Sequence, residues 1–358
     1  MKLTRTRGFH LGLGLTLAVA VAVAIIASVV GEPASHAHAL ALSGLQPGDF
    51  DERLLGIVGA GIVINRGNLN SLFQGFQVLF QNAFDGVPAD WEKVAMKVPS
   101  KSGREVYPWL GQTTRFREWI GDRVLQNLML HDFTIRNKPW ENTITIDRDE
   151  IEDDTYGVYA PMASQLGQDA KQHPDELNFG LLASGFNSAC YDGQYFFDTD
   201  HPVLQANGST GSVSNFQGGS GTAWYLLDTT KMVKPLIYQV RKDYKFVAMD
   251  QETDEQVFTS KKFRYGVDAR SNVGFGLWQL AFASREELTP ESYADARAQL
   301  MEMKGDNGKP LGVRPSLLVV PPSLEGKGLE ILQAEKNANG ATNIYRNTAQ
   351  LLNTPWLA

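Results

Sequence analysis

Cysteine is nearly missing: Cys190 stands alone among 358 residues. A single thiol closes no internal disulfide and supplies no CxxC zinc pattern, so the fold needs neither an oxidising compartment nor a cysteine-paired structural metal. Cys190 itself reads as a small buried residue in preference to a catalytic thiol. Positive charge is also scarce. The 33 Lys and Arg against 40 Asp and Glu give a formal charge of −7, which excludes a chain built to coat nucleic acid and restricts any DNA contact to local patches. No P-loop and no HExxH motif occur, and NVGFGLW has two glycines without the GxGxxG spacing. GFNSACYDG is no nucleophile elbow, because Ser188 and Cys190 lack flanking glycines at the required positions. The acidic run DRDEIEDD lacks the alternation and the glycine of a calcium loop. It reads as a solvated face, or as one half of a charge-complementary contact with the basic stretch holding Lys93, Lys97, Lys101, Arg104, Arg115, Arg117 and Arg123. There is no internal repeat.

What is present is enough for a substantial core. Hydrophobic residues make up 43% and charged residues 20%, the composition of a folded chain with room for one large or two smaller domains. The first residues, MKLTRTR, are basic, and Leu11 to Val30 is an almost unbroken apolar run followed by small-x-small patterns. This reads as a signal peptide or a membrane anchor whose Lys2, Arg5 and Arg7 stay on the cytoplasmic side. Residues 32 to 60, rich in Ala, Gly and Pro, read as a linker.

Beyond Ile62 the pattern is that of a mixed α+β chain. Leu69, Leu72, Phe73, Phe76, Leu79, Phe80 and Phe84 recur at helical spacing and form an amphipathic helix in need of a partner surface, with Asn68 as a candidate N-cap. Trp91 to about Asp154 reads as strands and turns, with Ile144 and Ile146 alternating against Thr143, Thr145 and Asp147; such a segment, poor in its own core, is expected to project. Helices are expected over Tyr156 to His173 and again from Pro174, where Pro-Asp-Glu marks a helix start. ANGSTGSVSNFQGGSGTA reads as a mobile loop. WYLLDTT, PLIYQVR, YKFVAM, EQVFTS and KKFRYGVDAR read as short strands of an antiparallel sheet. Glu291 to Lys304 is a helix capped by Thr289 with Pro290 in its first turn, RPSLLVVPP a buried strand, and Leu324 to Lys336 the helix after it.

In YFFDTDHPV, Asp198, Asp200 and His201 crowd together as metal ligands do. Ligands of a metal site usually come from several elements, however, whereas aspartates just before a proline are what a tight turn needs, so these three read as a structural turn. No catalytic, cofactor-binding or metal-ligating set is assigned, and no cofactor is expected.

Several separate stretches, in order, resemble one family: VPSKSGREVYPWLGQTTRFREWIGDR, IDRDEIEDDTYGVYAPM, YFFDTDHPV, FRYGVDARSNVGFGLWQLA, RPSLLVVPPSLE and TAQLLNTPWLA are similar to the major head (capsid) subunit of Mu-like phages and prophages. The resemblance runs from about Ile62 to Ala358. It implies the tailed-phage, Hong Kong 97-like capsid fold and a structural protein, not an enzyme, that self-assembles into the icosahedral head shell around phage DNA. It places an N-terminal arm at 62–90, an E-loop region at 91–154, the spine helix and peripheral domain at 155–215, and a strand-rich segment with the axial domain at 216–358. Trp109, Arg115, Arg117, Trp119 and Trp140 become candidate inter-subunit contacts, although each tryptophan could equally be internal. Lys97 and Lys101 lie where some capsids of this fold crosslink, with no acceptor marked. The implied partners are further copies of the chain, a scaffold, a protease and a portal during assembly, and packaged DNA held without sequence-specific binding, all in the host cytoplasm and then the virion. A membrane enters only if the leader is genuine; residues 1–61 read as lying outside the capsid fold, as an upstream extension of the reading frame. The alternatives are an exported or membrane-tethered binding protein and a nanocompartment shell of the same fold.

Overall fold

The computed structural model describes residues 66–108, 110, 133–153, 157–205, 207–251, 253–337 and 339–358. These form two compact units. One takes in the described residues up to Phe84, then Thr143–Gly167 and Phe246–Gly266; the other takes in Asp85–Asn142, Gln168–Lys245 and Val267–Ala358. No helix among the described residues is long and apolar enough to cross a membrane.

In the first unit, the apolar spacing after Ile62 produces helix α1 (Arg66–Gly86), with Leu69, Leu72, Phe76 and Phe80 buried. Asn68 lies inside this helix and does not cap it, since the helical turn already begins at Arg66. The surface that the stripe needs comes from the same chain. Phe73 stacks on Phe246 at 5.6 Å, Phe76 meets Tyr265 edge-on at 5.0 Å, and Phe80 leans on Phe246 at 5.4 Å. Fully burying a leucine or phenylalanine such as Leu69, Phe76 or Phe80 contributes roughly 1.5–3 kcal/mol. A second helix reaches α1 through Gly167, where an added Cβ would lie 2.3 Å from the carbonyl oxygen of Phe80. The acidic run forms a short helix over Arg148–Glu152, and the side chain of Asp147 accepts the Asp149 N–H at its start. EQVFTS, expected as a strand, is also helical (Glu255–Ser260). It follows Asp254, buries Val257 alone, and closes through Lys261 in the left-handed region at φ 54°.

The second unit starts with a short turn of helix (Trp91–Val94) leading into β1 (Ala95–Pro99), then β2 (Arg104–Val106), β3 (Thr134–Arg136) and the first residues of β4 (Lys138–Asp147), which from Thr143 on is counted with the first unit. PLIYQVR and YKFVAM are one continuous strand, β9 (Leu236–Met249), and KKFRYGVDAR runs on into β10 (Lys262–Phe275). Together these give a four-stranded sheet in the order β1-β9-β10-β4, with β1 parallel to β9 and Ala95 opposite Leu236. A five-stranded sheet runs β13 (Gln350–Asn353), β12 (Leu317–Val320), β8 (Trp224–Leu227), β11 (Ala281–Arg285), β7 (Phe216–Gly219). It is mixed, not antiparallel throughout: β12 is parallel to β13 and β7 to β11. WYLL and LLVV are buried along their whole length, as unbroken apolar runs must be when both faces of a sheet are covered. The helix Pro290–Met301 packs against β11, and Glu325–Leu332 against β12 and β13. Thr289 caps the former, as its sequence predicts, and Ser292 completes a capping box.

Two further expectations are corrected. Pro174 starts no helix; it lies within a single 24-residue helix, Ala160–Ala183. A proline inside a helix forfeits one backbone hydrogen bond. The helix continues through it, and the carboxylate that mimicked a start signal works elsewhere. Asp175 Oδ1 accepts the backbone N–H groups of Asp90 (3.0 Å) and Trp91 (2.7 Å), capping the short helix far upstream. The Gly/Ser-rich stretch is not a mobile loop either. It contains β6 (Thr210–Val213), antiparallel to β5 (His201–Leu204), and then β7 at the edge of the larger sheet. Gly219, at φ +88°, lets the chain approach the Arg285 backbone to a point where a Cβ would sit 2.3 Å away. Glycine here serves close approach.

Candidate functional site

Of the candidate contact residues, Trp109, Arg115, Arg117 and Trp119 lie outside the described residues. Trp140 sits on β4, the edge strand of its sheet. Its indole N–H donates to the Ser271 carbonyl (3.1 Å), and its ring meets His173 edge-on at 4.6 Å. His173 Nδ1 in turn faces the Tyr244 hydroxyl at 2.6 Å. Burial lowers the pKa of His173, with Glu176 pulling the other way. Along β4, Lys138, Pro139, Glu141, Asn142, Thr143 and Thr145 are exposed, and only Ile146 is buried.

The base of the strand-and-turn segment is held by a buried polar group. Gln239 Oε1 accepts the Tyr107 hydroxyl (2.7 Å), while its amide donates to the Ile135 carbonyl (3.2 Å) and to Asn137 Oδ1 (2.8 Å). The turn after β1 is closed by Glu105, whose Oε1 accepts the N–H groups of Lys101 (2.8 Å) and Ser102 (3.1 Å) and the Ser100 hydroxyl (2.9 Å). The Lys101 and Ser100 hydrogen bonds lower the pKa of Glu105, which is half-buried. Lys97 pairs with Asp243 (3.1 Å) at the surface, where such pairs stabilise little. In the acidic run, Glu152 pairs with Arg148 (3.0 Å) and Asp149 with Lys261 (3.5 Å).

The polar trio of YFFDTDHPV separates. Asp198 does organise a turn, its side chain accepting the N–H groups of Thr199 (2.7 Å) and Tyr195 (3.3 Å), and Asp200 is exposed. His201 leaves that turn. It opens β5, is fully buried, and stacks on Trp278 at 3.9 Å with 9° between the rings. Its Nδ1 meets Asp192 Oδ2 at 2.7 Å, and Cys190 Sγ donates to Asp192 Oδ1 at 3.0 Å. Burial would raise the Asp192 carboxyl, but the hydrogen bonds from His201 and Cys190 carry it below its ordinary value; burial together with Asp192 pushes the Cys190 thiol far up. Asn215, also fully buried, completes the cluster. Asp192 and Asn215 escape sequence reading: one stands two residues after an isolated cysteine, the other sits in a run that reads as a mobile loop, and the turn closed by the Ala189–Tyr195 bridge and the pairing of β5 with β6 bring them to His201.

Several large apolar side chains face solvent: Met232 is 94% exposed, Phe258 85% and Ile344 76%.

Against known proteins, the family profile described as "Mu-like prophage major head subunit gpT" matches residues 69–357. The Mu-like prophage FluMu major head subunit of Haemophilus influenzae (strain ATCC 51907 / DSM 11121 / KW20 / Rd) is 43% identical over 277 residues, covering 75% of this chain and 90% of that one. The major capsid protein of Escherichia phage Mu is 37% identical over 289 residues, 79% of this chain and 95% of that one. Among solved structures, a chain of the bacteriophage JBD30 procapsid superposes with a TM-score of 0.74 at 44% identity, covering 82% of this chain and all (100%) of that one. A chain of the JBD30 capsid gives 0.67 at 31% identity, with 83% and 100% covered.

Proposed function

The chain belongs to the Mu-like prophage major head subunit family, and from this premise we propose how its surfaces build a shell. It has the tailed-phage capsid fold and is a major capsid protein, a structural subunit that assembles with further copies of itself into the head of the virion. The observation that carries this is the family match, which spans both compact units. The readings as an exported binder or a nanocompartment shell gained no support.

In the finer assignment, residues 62–90 act as the arm, 91–154 hold the E-loop, the 24-residue helix Ala160–Ala183 is the spine, and the five-stranded sheet with its two packed helices belongs to the axial domain. Neighbouring subunits meet along the exposed edge of β4 and the stretch containing Trp109, Arg115, Arg117 and Trp119. The extended backbone of β4 adds to a neighbour's sheet edge, and repetition of such heterologous contacts closes a shell. Trp140, hydrogen-bonded within its own subunit, serves by fixing β4 in place. Phe258, Met232 and Ile344 supply apolar contact. Scaffold, protease and portal act during assembly, DNA is enclosed without sequence reading, no catalytic role is assigned, and residues 1–61 lie outside the shell fold.

The test is negative-stain electron microscopy, after size-exclusion chromatography, of the full chain beside a version starting at Val63. Closed shells, rings or sheets from both are expected. Particles from the full chain alone, or peptides from residues 32–60 in the mass spectrum of virion protein, would overturn the assignment of the leader. A membrane-bound full chain with no particles from either version would overturn the assembly reading.

A further inference from the structure

We propose that Cys190, Asp192 and His201 bind one divalent transition-metal ion of the zinc class inside the subunit. A thiol sulfur, a carboxylate oxygen and an imidazole nitrogen lie within 4.8 Å of one another, drawn from a turn and from the first residue of β5. A tetrahedral zinc ion, with bonds of about 2.0–2.3 Å, holds its ligand atoms roughly 3.3–3.8 Å apart. The present separations of 3.0 Å (Sγ to Oδ1) and 2.7 Å (Nδ1 to Oδ2) need to open by less than about 1 Å to admit it. Thiolate and imidazole favour zinc over the hard cations that an all-oxygen site would select.

A second, independent observation concerns how the imidazole is held. The Asn215 amide group donates toward three carbonyls, those of Phe196 (2.8 Å), Ala281 (3.3 Å) and Trp278 (3.4 Å). Its oxygen therefore faces the other way, accepting from the Asp198 N–H at 2.9 Å and from His201 Nε2 at 3.2 Å. An amide oxygen only accepts, so Nε2 carries a hydrogen, and Nδ1 is the nitrogen aimed at Asp192. Metal-binding histidines are oriented in this way, the second ring N–H donated to a fixed oxygen so that tautomer and ring plane are set beforehand. The Trp278 indole, parallel to the ring at 3.9 Å, holds that plane.

Charge balances as well. Without metal, two protons occupy the site, one on the Cys190 sulfur and one between Asp192 Oδ2 and His201 Nδ1. A divalent ion displaces both: the S–H bond breaks and a metal–sulfur bond forms, the shared proton leaves and Nδ1 gives its lone pair to the metal, and two protons pass to solvent. The buried site thus exchanges two positive charges for two, with no oxidation or reduction, and avoids the cost of an uncompensated buried charge. The fourth ligand is a water, admitted beside Asp192 and the exposed Gly193.

The experiment uses the purified full-length chain, stripped with a chelator and titrated with Zn2+, and then with Co2+ as a spectroscopic probe. A single equivalent of zinc per chain is expected, with a cobalt–thiolate charge-transfer band. Cys190→Ser and His201→Gln should lose the band and reduce zinc uptake at least about tenfold, while Asp198→Asn, in the neighbouring turn, keeps both. Should His201→Gln fail to fold, the near-isosteric Cys190→Ser and the cobalt band of the unsubstituted chain decide. Uptake below about a tenth of an equivalent, a cobalt spectrum without the thiolate band, or equal uptake by Cys190→Ser would each overturn the proposal.

Discussion

Two glycines in the helix Ala160–Ala183 should answer the same substitution with opposite sign. Gly180 is exposed, with nothing within 4 Å of an added Cβ. Gly180→Ala should therefore gain the ordinary helix-propensity difference of about 1 kcal/mol, raising the unfolding midpoint by about 2–4 °C. At Gly167 the same methyl would sit 2.3 Å from the Phe80 carbonyl oxygen and 3.1 Å from the Ala83 side chain. The blocking atom is backbone and cannot rotate away, so α1 must retreat by about 1 Å, loosening Leu69, Leu72, Phe76 and Phe80. Overpacking of this kind costs up to about 3 kcal/mol, against a propensity gain of about 1 kcal/mol, for a net loss near 2 kcal/mol. The midpoint should fall by about 4–8 °C. Thermal unfolding of the unassembled subunit, followed by circular dichroism, reads both variants. If Gly167→Ala were neutral or stabilising, α1 would not pack on this helix at Phe80 and the reasoning would fail.

Three further outcomes are expected. Asp175→Ala removes the acceptor of the Asp90 and Trp91 N–H groups and should cost about 0.5–2 kcal/mol in denaturant unfolding; an unchanged midpoint would contradict the capping role. Burial holds His173 below its ordinary value of 6.5, so as pH falls through 6.5 the unfolded chain takes up a proton that the fold resists. Stability is then lost on the acid side, and His173→Gln should flatten that limb of a stability–pH curve; an unaltered limb would assign it to other groups. Phe258→Asp and Met232→Asp alter side chains that are 85% and 94% exposed. The unassembled subunit should change by no more than about 0.5 kcal/mol, while particle yield on a sedimentation gradient falls, and undiminished yield from both would remove these residues from the contact surface.

Legibility in the sequence followed locality. The helix at Pro290 was readable because Thr289 and Pro290 act on the backbone beside them, and LLVV because complete burial leaves an unbroken apolar run. The stripe from Leu69 to Phe80 announced a helix, but nothing in it said that Phe246 and Tyr265 of the same chain would cover it. Pro174-Asp175-Glu176 misled because a helix-start signal is a set of residue types, and Asp175 spends its carboxylate on a helix end 84 residues away. EQVFTS has β-prone residues, yet six residues after an aspartate can close one helical turn as readily. The head-subunit reading was legible from many short stretches at once, and the comparisons confirm it. The Cys190–Asp192–His201 cluster was not legible, since its members meet only when the turn closed by the Ala189–Tyr195 bridge folds back on the first residue of β5.

Asn215 has a consequence for how this chain can vary. Its side chain reaches Phe196, Asp198, His201, Trp278 and Ala281, and its own carbonyl accepts the Ala283 N–H at 3.0 Å. Around it lie serines and glycines, several of them exposed. A saturation scan selecting for particle formation would thus show, besides the close-approach glycine Gly219, one position that admits almost no other residue: aspartate lacks the donors, and leucine of similar size strands three carbonyls and an imidazole. In a genome drifting under mutation, this stretch would keep Asn215 and Gly219 while its exposed serines change freely.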